Sequence, residues 1–182
     1  PGELRIRPKQ LKERFKFVGD GFEIAVAGLA AGDLLEDAGL DYLLVDLDSQ
    51  LGGTAIYSGG LMTFSGTSLQ DAIGVEDSAE LLLSEWADMT DGDPADPWVE
   101  TYANRNTEVH DYLSSRGVRF ALNPLPADGA SVRRVHMVDG GGGALIGALR
   151  SGIDESRVWL QTECLDLVVD PTGRVLGAWV ER

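Results

Sequence analysis

Asp46 closes the apolar run Tyr42-Leu43-Leu44-Val45, and shortly after it comes Leu51-Gly52-Gly53-Thr54-Ala55-Ile56-Tyr57-Ser58-Gly59-Gly60. A strand that ends in an acid and runs into paired glycines can hold a nucleotide. The carboxylate takes the ribose hydroxyls, and bare glycine backbone lets a phosphate or a flat ring come close. A second glycine run, Gly140-Gly141-Gly142-Gly143, opens a short apolar segment from Ala144 to Arg150. Four successive glycines cost backbone entropy, so either something approaches the backbone closely there or the loop is mobile. Two histidines and one cysteine complete the reactive side chains. His110 lies one residue off an apolar stripe and reads as a surface or boundary residue. Cys164 excludes an internal disulfide and, alone, offers no metal cluster.

These groups need elements to position them. Residues 22–27 read as a strand, followed by a helix from about 29 to 38 that Gly39 caps. Residues 41–46 form a second, near-continuously apolar strand of the buried parallel kind, which makes a βαβ unit. Asp77-Ser78-Ala79-Glu80 reads as a capping box with Asp77 as the cap, ahead of Leu82, Leu83, Trp86 and Met89 at helical spacing. Asp96-Pro97 starts another helix, carrying Val99, Tyr102, Ala103, Val109 and Leu113 on one face and ending at Gly117. Residues 157–162 and 165–169 read as strands. A turn at Asp170-Pro171-Thr172-Gly173 and a last strand, 174–180, follow. The expected fold is α/β, with a parallel sheet, a helical insert at about 61–128 and a terminal β-meander. The expected division is a basic arm over 1–16 and one domain over 17–182.

Composition bounds the function. At 182 residues, with 43% hydrophobic and 25% charged content, the chain has the make-up of a globular protein. Its 15 basic against 30 acidic residues give −15, which argues against a nucleic-acid partner. Residues 71–100 hold ten acids and no Lys or Arg, whereas 1–16 hold six basic residues against two acids. No apolar run approaches the roughly 20 residues of a membrane span, and no charged-then-apolar signal opens the chain. The expected location is therefore cytoplasmic.

The order of these parts resembles a known family. A βαβ start, the acid, Gly-Gly-Thr, Ser-Gly-Gly, the helical insert, Gly129-Ala130-Ser131-Val132-Arg133-Arg134-Val135-His136, the glycine run and the strands after it are similar to one region of the fumarate reductase and succinate dehydrogenase flavoproteins. That region is the Rossmann-like FAD-binding domain, and the family includes soluble fumarate and urocanate reductases and 3-ketosteroid dehydrogenases. The resemblance covers roughly residues 22 to 182 and implies bound FAD. It assigns Asp46 to the adenosine ribose, where the family usually has Glu. Gly52, Gly53 and Thr54 would face pyrophosphate and flavin, and Ser58, Gly59 and Gly60 the isoalloxazine edge. Cys164 would touch adenine through its backbone, or be a small core residue. His136 and the glycines Gly140, Gly141 and Gly142 would lie near the flavin or a substrate, with a structural role equally open for His136. Family members with covalent flavin carry a histidine in the segment aligning with Gly53; none stands here, so the resemblance implies noncovalent FAD.

Two departures stand beside it. The family places G-x-G-x-x-G between its first strand and helix, so that pyrophosphate rests on a helix N-terminus. Gly28 takes the third glycine's place. Without a gap the first two places fall on Glu23 and Ala25. With a four-residue insertion Gly19 and Gly21 serve, and Arg14-Phe15-Lys16-Phe17-Val18 becomes the strand. The family also runs several hundred residues further, through its substrate domain and proton donor. No residue here reads as a catalytic acid, and no metal is implied. The expectation is an FAD-binding subunit or fragment of an oxidoreductase acting on a carbon–carbon bond beside a carbonyl or carboxylate, either fumarate-like or ketosteroid-like. A companion polypeptide or further chain would complete it. The alternative is a degenerate flavoprotein half serving as a structural subunit. A nicotinamide enzyme fits less well, because of the long insert and the Gly-Gly-Thr loop.

Overall fold

A computed structural model describes residues 16–18, 25–90 and 97–182. In chain order the elements are β1 (Lys16–Val18), α1 (Ala25–Asp37), β2 (Tyr42–Val45), a 3-10 turn (Gly53–Tyr57), β3 (Leu61–Thr63), α2 (Ser68–Asp71), α3 (Ala79–Met89), α4 (Pro97–Ser115), β4 (Phe120–Leu122), β5 (Val135–Val138), α5 (Gly141–Arg150), β6 (Val158–Trp159), β7 (Glu163–Val169) and β8 (Val175–Glu181). They divide into two compact units. The first holds the described residues through Tyr57 together with Ile146–Arg182, and the second is Ser58–Leu145.

The first unit is α/β. Its parallel sheet has the order β1-β2-β6, with Lys16 opposite Tyr42 and Leu44 opposite Val158. The strand expected over residues 22–27 is corrected: residues 25–27 already belong to α1, and 22–24 lie outside the described residues. The run Ala25-Val26-Ala27-Gly28-Leu29-Ala30-Ala31 is rich in the strongest helix former, and that outweighs the two β-branched residues that suggested a strand. Lys16-Phe17-Val18 takes the strand's place beside β2. This is the insertion arrangement; Gly19 and Gly21 themselves lie outside the described residues. Gly39 ends α1 as expected. At φ 61° it lets its N–H reach the carbonyl of Glu36 while Leu40 N–H reaches that of Leu35, the paired bonds of a Schellman cap. Gly32 brings α1 close onto β2, since a Cβ there would stand 3.0 Å from the Leu44 side chain.

The strand expected over residues 157–162 contracts to β6 and joins the parallel sheet; β7 and β8 form an antiparallel hairpin. Its turn is held by Asp170, whose Oδ1 accepts from the N–H groups of Thr172 and Arg174. Val45, Ala178 and Val180 form a buried cluster, with Leu43, Trp159 and Cys164 packed against it. Leu165, Leu167, Val169, Val175, Leu176 and Trp179 are exposed.

The second unit is an antiparallel sheet, β3-β5-β4, with α2, α3 and α4. Two of its short strands, β3 and β4, fall within the span expected to be a helical insert. Segments that short show too few periods to be told from loop. The expected capping box at Asp77 is also corrected. Ser78 is the N-cap of α3, its side chain accepting from Leu81 N–H. Asp77 instead turns its carboxylate inward to Arg134. A genuine box sits one element earlier, where the Thr67 side chain accepts from Gln70 N–H and the Gln70 side chain accepts from Thr67 N–H. Replacing Ser78 by alanine is expected to cost about 1 kcal/mol, read as a shift in the urea midpoint. Gly117, at φ 86°, closes α4 as expected, and Val118 N–H reaches back to Leu113.

His110 is a core residue rather than a surface one. Its side chain is buried and its ring stacks on Phe120. A ring placed one residue off the stripe still faces inward, because β4 and the turn before α2 cover that side of α4. Arg134 is the other buried polar group of note. It binds Asp77 through Nε and Nη2 at 2.9 and 2.6 Å, and Glu85 through Nη1. Burial pushes the Glu85 carboxyl up, but the Ser131 N–H and the Arg134 guanidinium outweigh it and hold the group below its usual range.

Candidate functional site

The first unit carries one group of the expected site residues. Asp46 sits where β2 ends, at the carboxyl edge of the parallel sheet, the edge at which open α/β folds bind ligands. Its N–H donates to the Trp159 carbonyl and its own carbonyl accepts from Thr162 N–H, so backbone from β2 and from the segment after β6 fixes it on both sides. Oδ1 accepts from Asp48 N–H at 2.9 Å, an Asx turn that orients the carboxylate. The other oxygen makes no hydrogen bond among the described residues. Two residues past Thr162, Cys164 is the second residue of β7, half-buried against the Val45 cluster. The structure thus brings Asp46 and Cys164 to the same region, through the Thr162 N–H bond to Asp46 and the Val45 cluster. Gln161, between them in this arrangement, holds φ at 52° while its N–H donates to the Asp48 carbonyl.

Gly52 and Gly53 make the turn into the 3-10 segment, at φ 114° and 45°. Gly52 is buried; a Cβ there would stand 2.6 Å from Ile56 and 2.8 Å from Ile146, so only glycine fits. Thr54 is exposed on the same turn, and Gly28 is buried in the first turn of α1. An acid at the end of a parallel strand, followed by a turn of side-chain-free backbone, fits the ribose and pyrophosphate of a dinucleotide.

The second unit carries the rest. Ser58, Gly59 and Gly60 lie against Gly140, Gly141 and Gly142. The Ser58 carbonyl accepts from Gly142 N–H, and Val138 N–H donates to Gly60, each at 2.9 Å. A Cβ on Gly60 would stand 2.9 Å from the Gly141 carbonyl carbon, and one on Gly141 would stand 3.1 Å from the Ser58 oxygen. What approaches the glycine run closely is therefore this chain's own Ser-Gly-Gly segment. Gly59 is exposed, with 3.9 Å from an added Cβ to Leu61.

His136, expected near a flavin or substrate, has 0% exposure. Nδ1 lies 2.9 Å from the Arg134 carbonyl, which can only accept, so Nδ1 carries the proton. Nε2 then accepts from the Thr67 hydroxyl at 2.8 Å. Both ring nitrogens are engaged inside the unit. The Thr67 and Gln70 partners were not singled out in the sequence, although Thr-x-x-Gln carried the signal.

Beside β3 a groove of about 650 Å³ opens between the sheet and α3 and α4. Leu61, Trp86, Met89, Trp98 and Tyr102 are among its walls. Arg134 reaches it, but with its guanidinium committed to Asp77 and Glu85. Among the described residues no group of three or more His, Cys, Asp or Glu could hold a metal ion. No described helix is long and apolar enough to cross a membrane.

A parallel α/β sheet with an acid at its carboxyl edge is the arrangement of a nucleotide-binding domain. The chain belongs to the FAD binding domain family, whose model matches residues 26–182, and its cofactor is FAD. It is 31% identical over 140 residues to a KsdD-like steroid dehydrogenase of Mycobacterium tuberculosis, a match covering 66% of this chain and 24% of that protein. Among solved structures it is similar to the open conformation of a flavocytochrome c3 fumarate reductase, with TM-score 0.74 and 28% identity over 92% of this chain and 31% of the other. A further likeness is to 3-ketosteroid-delta4-(5alpha)-dehydrogenase from Rhodococcus jostii RHA1 in complex with 4-androstene-3,17-dione. There the TM-score is 0.73 and the identity 26%, over 93% of this chain and 42% of the other. The chain thus spans about a quarter of the length of the curated relative it matches.

Proposed function

We propose that this chain is the FAD-binding portion of an oxidoreductase that forms or reduces a carbon–carbon double bond next to a carbonyl. The family match over residues 26–182 carries the reading. When bound, FAD supplies the hydride chemistry, and the protein orients and tunes it. Asp46 holds the ribose through its carboxylate, with Cys164 contributing backbone beside the adenine. Gly28 and the Gly52, Gly53 and Thr54 turn receive the pyrophosphate. Ser58, Gly59 and Gly60, braced by Gly140 and Gly141, present backbone to the isoalloxazine edge, where N–H groups favour charge on the reduced ring. His136 supports that edge from within the core.

The apolar groove favours a ring ketone over a dicarboxylate as the substrate. Two carboxylates need uncommitted cations, and the one arginine among the described residues lining the groove is already paired twice. The remaining groups, among them the proton donor, come from further chain or a companion polypeptide. The exposed apolar side chains of the β7–β8 hairpin support that need.

The visible spectrum of the native assembly, repeated after denaturation, tests the reading. Bands at roughly 375 and 450 nm that leave with the small-molecule fraction support noncovalent FAD. A colourless assembly that takes up no added FAD overturns it in favour of a structural subunit. Asp46→Asn keeps the Oδ1 acceptor for Asp48 N–H but loses the charge. It is expected to weaken FAD retention by about tenfold to a hundredfold, the value of charge-assisted hydrogen bonds. Equilibrium dialysis reads the loss, with circular dichroism unchanged.

A further inference from the structure

The two histidines of the sequence are 26 positions apart, yet their rings meet in the core of the second unit, 5.5 Å between centroids. Phe64 packs edge-on against both, at 5.4 Å from His110 and 5.3 Å from His136, and Phe120 stacks on His110 at 5.0 Å. Nothing in the flavin reading uses His110.

This four-ring core takes a charge badly. His136 is neutral with Nδ1 protonated. A second proton on Nε2 would have to point at the Thr67 hydroxyl, forcing that hydroxyl to turn towards Gln70 Oε1, 3.2 Å away. His110 Nδ1 lies 3.2 Å from the exposed Asp111 carboxylate, but its Nε2 is buried with no hydrogen-bond partner among the described residues. The charged groups facing the pair are few. From α4 comes Asp111, which is largely solvated. From the segment before α3 comes Asp77, already bound to Arg134. From the residue before β5 comes Arg134, which offers the ring its carbonyl while its guanidinium serves Asp77 and Glu85. Phe64, Phe120, Thr67 and Gln70 bring no charge.

The strand that holds His136 also leads into the glycine loops. His136 lies two residues before Val138, whose N–H bonds Gly60, and Gly142 N–H bonds Ser58 just beyond. We propose that His136, packed against His110, forms an acid-sensitive fastening of the antiparallel sheet, and that protonating it loosens the crossing of the Ser58–Gly60 backbone with the Gly140–Gly142 backbone. If the flavin reading holds, this would couple pH to cofactor retention; the loosening itself needs no flavin.

Burial pushes the His136 imidazole down, and the neighbouring His110 adds to the effect. The sign follows. A folded-state value below the unfolded one gives stability that is complete above about pH 6.5 and is lost as pH falls through the lowered value. Most carboxylates titrate lower, so a change between neutral pH and about 5.5 isolates the histidines.

The test is amide hydrogen exchange on the full chain at about pH 7.5 and 5.5, corrected for intrinsic exchange, in wild type and in His136→Asn. Asparagine keeps an amide donor for the Arg134 carbonyl and removes the ionisable ring. Protection at Val138 and Gly142 is expected to fall about tenfold at the lower pH in wild type, and about threefold or less in the variant. Unchanged protection in wild type, or an equal fall in both, overturns the proposal. Should the variant not fold, the imidazole C2–H titration of wild type decides: a His136 midpoint at or above about 6.5 overturns it, and a lower one supports it. Because the readout is exchange, apo protein serves, and failure of FAD binding leaves the outcome distinct.

Discussion

Gly60→Val is expected to destabilise the second unit by about 3–5 kcal/mol. Two costs combine. Gly60 sits at φ 66°, a conformation that costs a β-branched residue about 1–2 kcal/mol. Any Cβ would also stand 2.9 Å from the Gly141 carbonyl carbon and 2.9 Å from Val138 Cβ. Neither is the free end of a flexible side chain, so relief requires moving backbone, and the Val138 N–H bond to Gly60 is lost with it. Gly74→Ala separates the two costs. Gly74 has φ 69° but open space around it, so the variant is expected to lose only about 1 kcal/mol. Urea titration of the three proteins measures both. Equal losses at Gly60 and Gly74 would show that the crossing of the two glycine segments is not tight.

Arg134→Met is expected to cost about 3–5 kcal/mol near neutral pH, because it strands two carboxylates in the interior. The Asp77 side chain is 0% exposed and that of Glu85 11%. The loss belongs to the orphaned charges rather than to the arginine. Adding Asp77→Asn and Glu85→Gln, which keep acceptors for Ser78, Ser131 and neighbouring donors, is expected to recover more than half of it. The pH dependence gives a second readout. Glu85 is held low by its partners, so in wild type its contribution is present above the usual carboxylate range and is lost as pH falls through its lowered value. In Arg134→Met the same acidification neutralises a stranded charge. The stability gap between variant and wild type is therefore expected to narrow from pH 7 to about pH 4, as thermal melts would show. A gap that stays constant would mean that the carboxylates find water in the variant.

What could be read from the sequence depended on how local its cause was. The turn after β2, the caps at Gly39 and Gly117 and the β7–β8 turn all rest on residues within a few positions of one another, and all were legible. The parallel strand beside β2 was misplaced because its identity is settled by pairing: Lys16-Phe17-Val18 looks poor by composition, while residues 22–27 look better, yet 25–27 belong to α1. Asp77 shows the same limit at one residue. Its spacing to Glu80 satisfies the capping pattern, but a guanidinium 57 positions away binds it more strongly than two backbone N–H groups would. Of the expected site residues, Asp46 at the end of β2 and Gly52 in the turn after it have placements of local cause, whereas the packing of the two glycine segments on each other is long-range. His136 was singled out by likeness, and its burial against His110 is a tertiary fact that no spacing announces.

The β7–β8 hairpin bears on handling the chain by itself. Leucines, valines and a tryptophan there meet water on a ribbon two strands wide, whose outer backbone groups offer a template to any extended peptide. With 15 surplus negative charges, neighbouring molecules repel one another at low ionic strength and lose that protection as salt rises. Salt, usually added to keep proteins apart in solution, here brings these ribbons together.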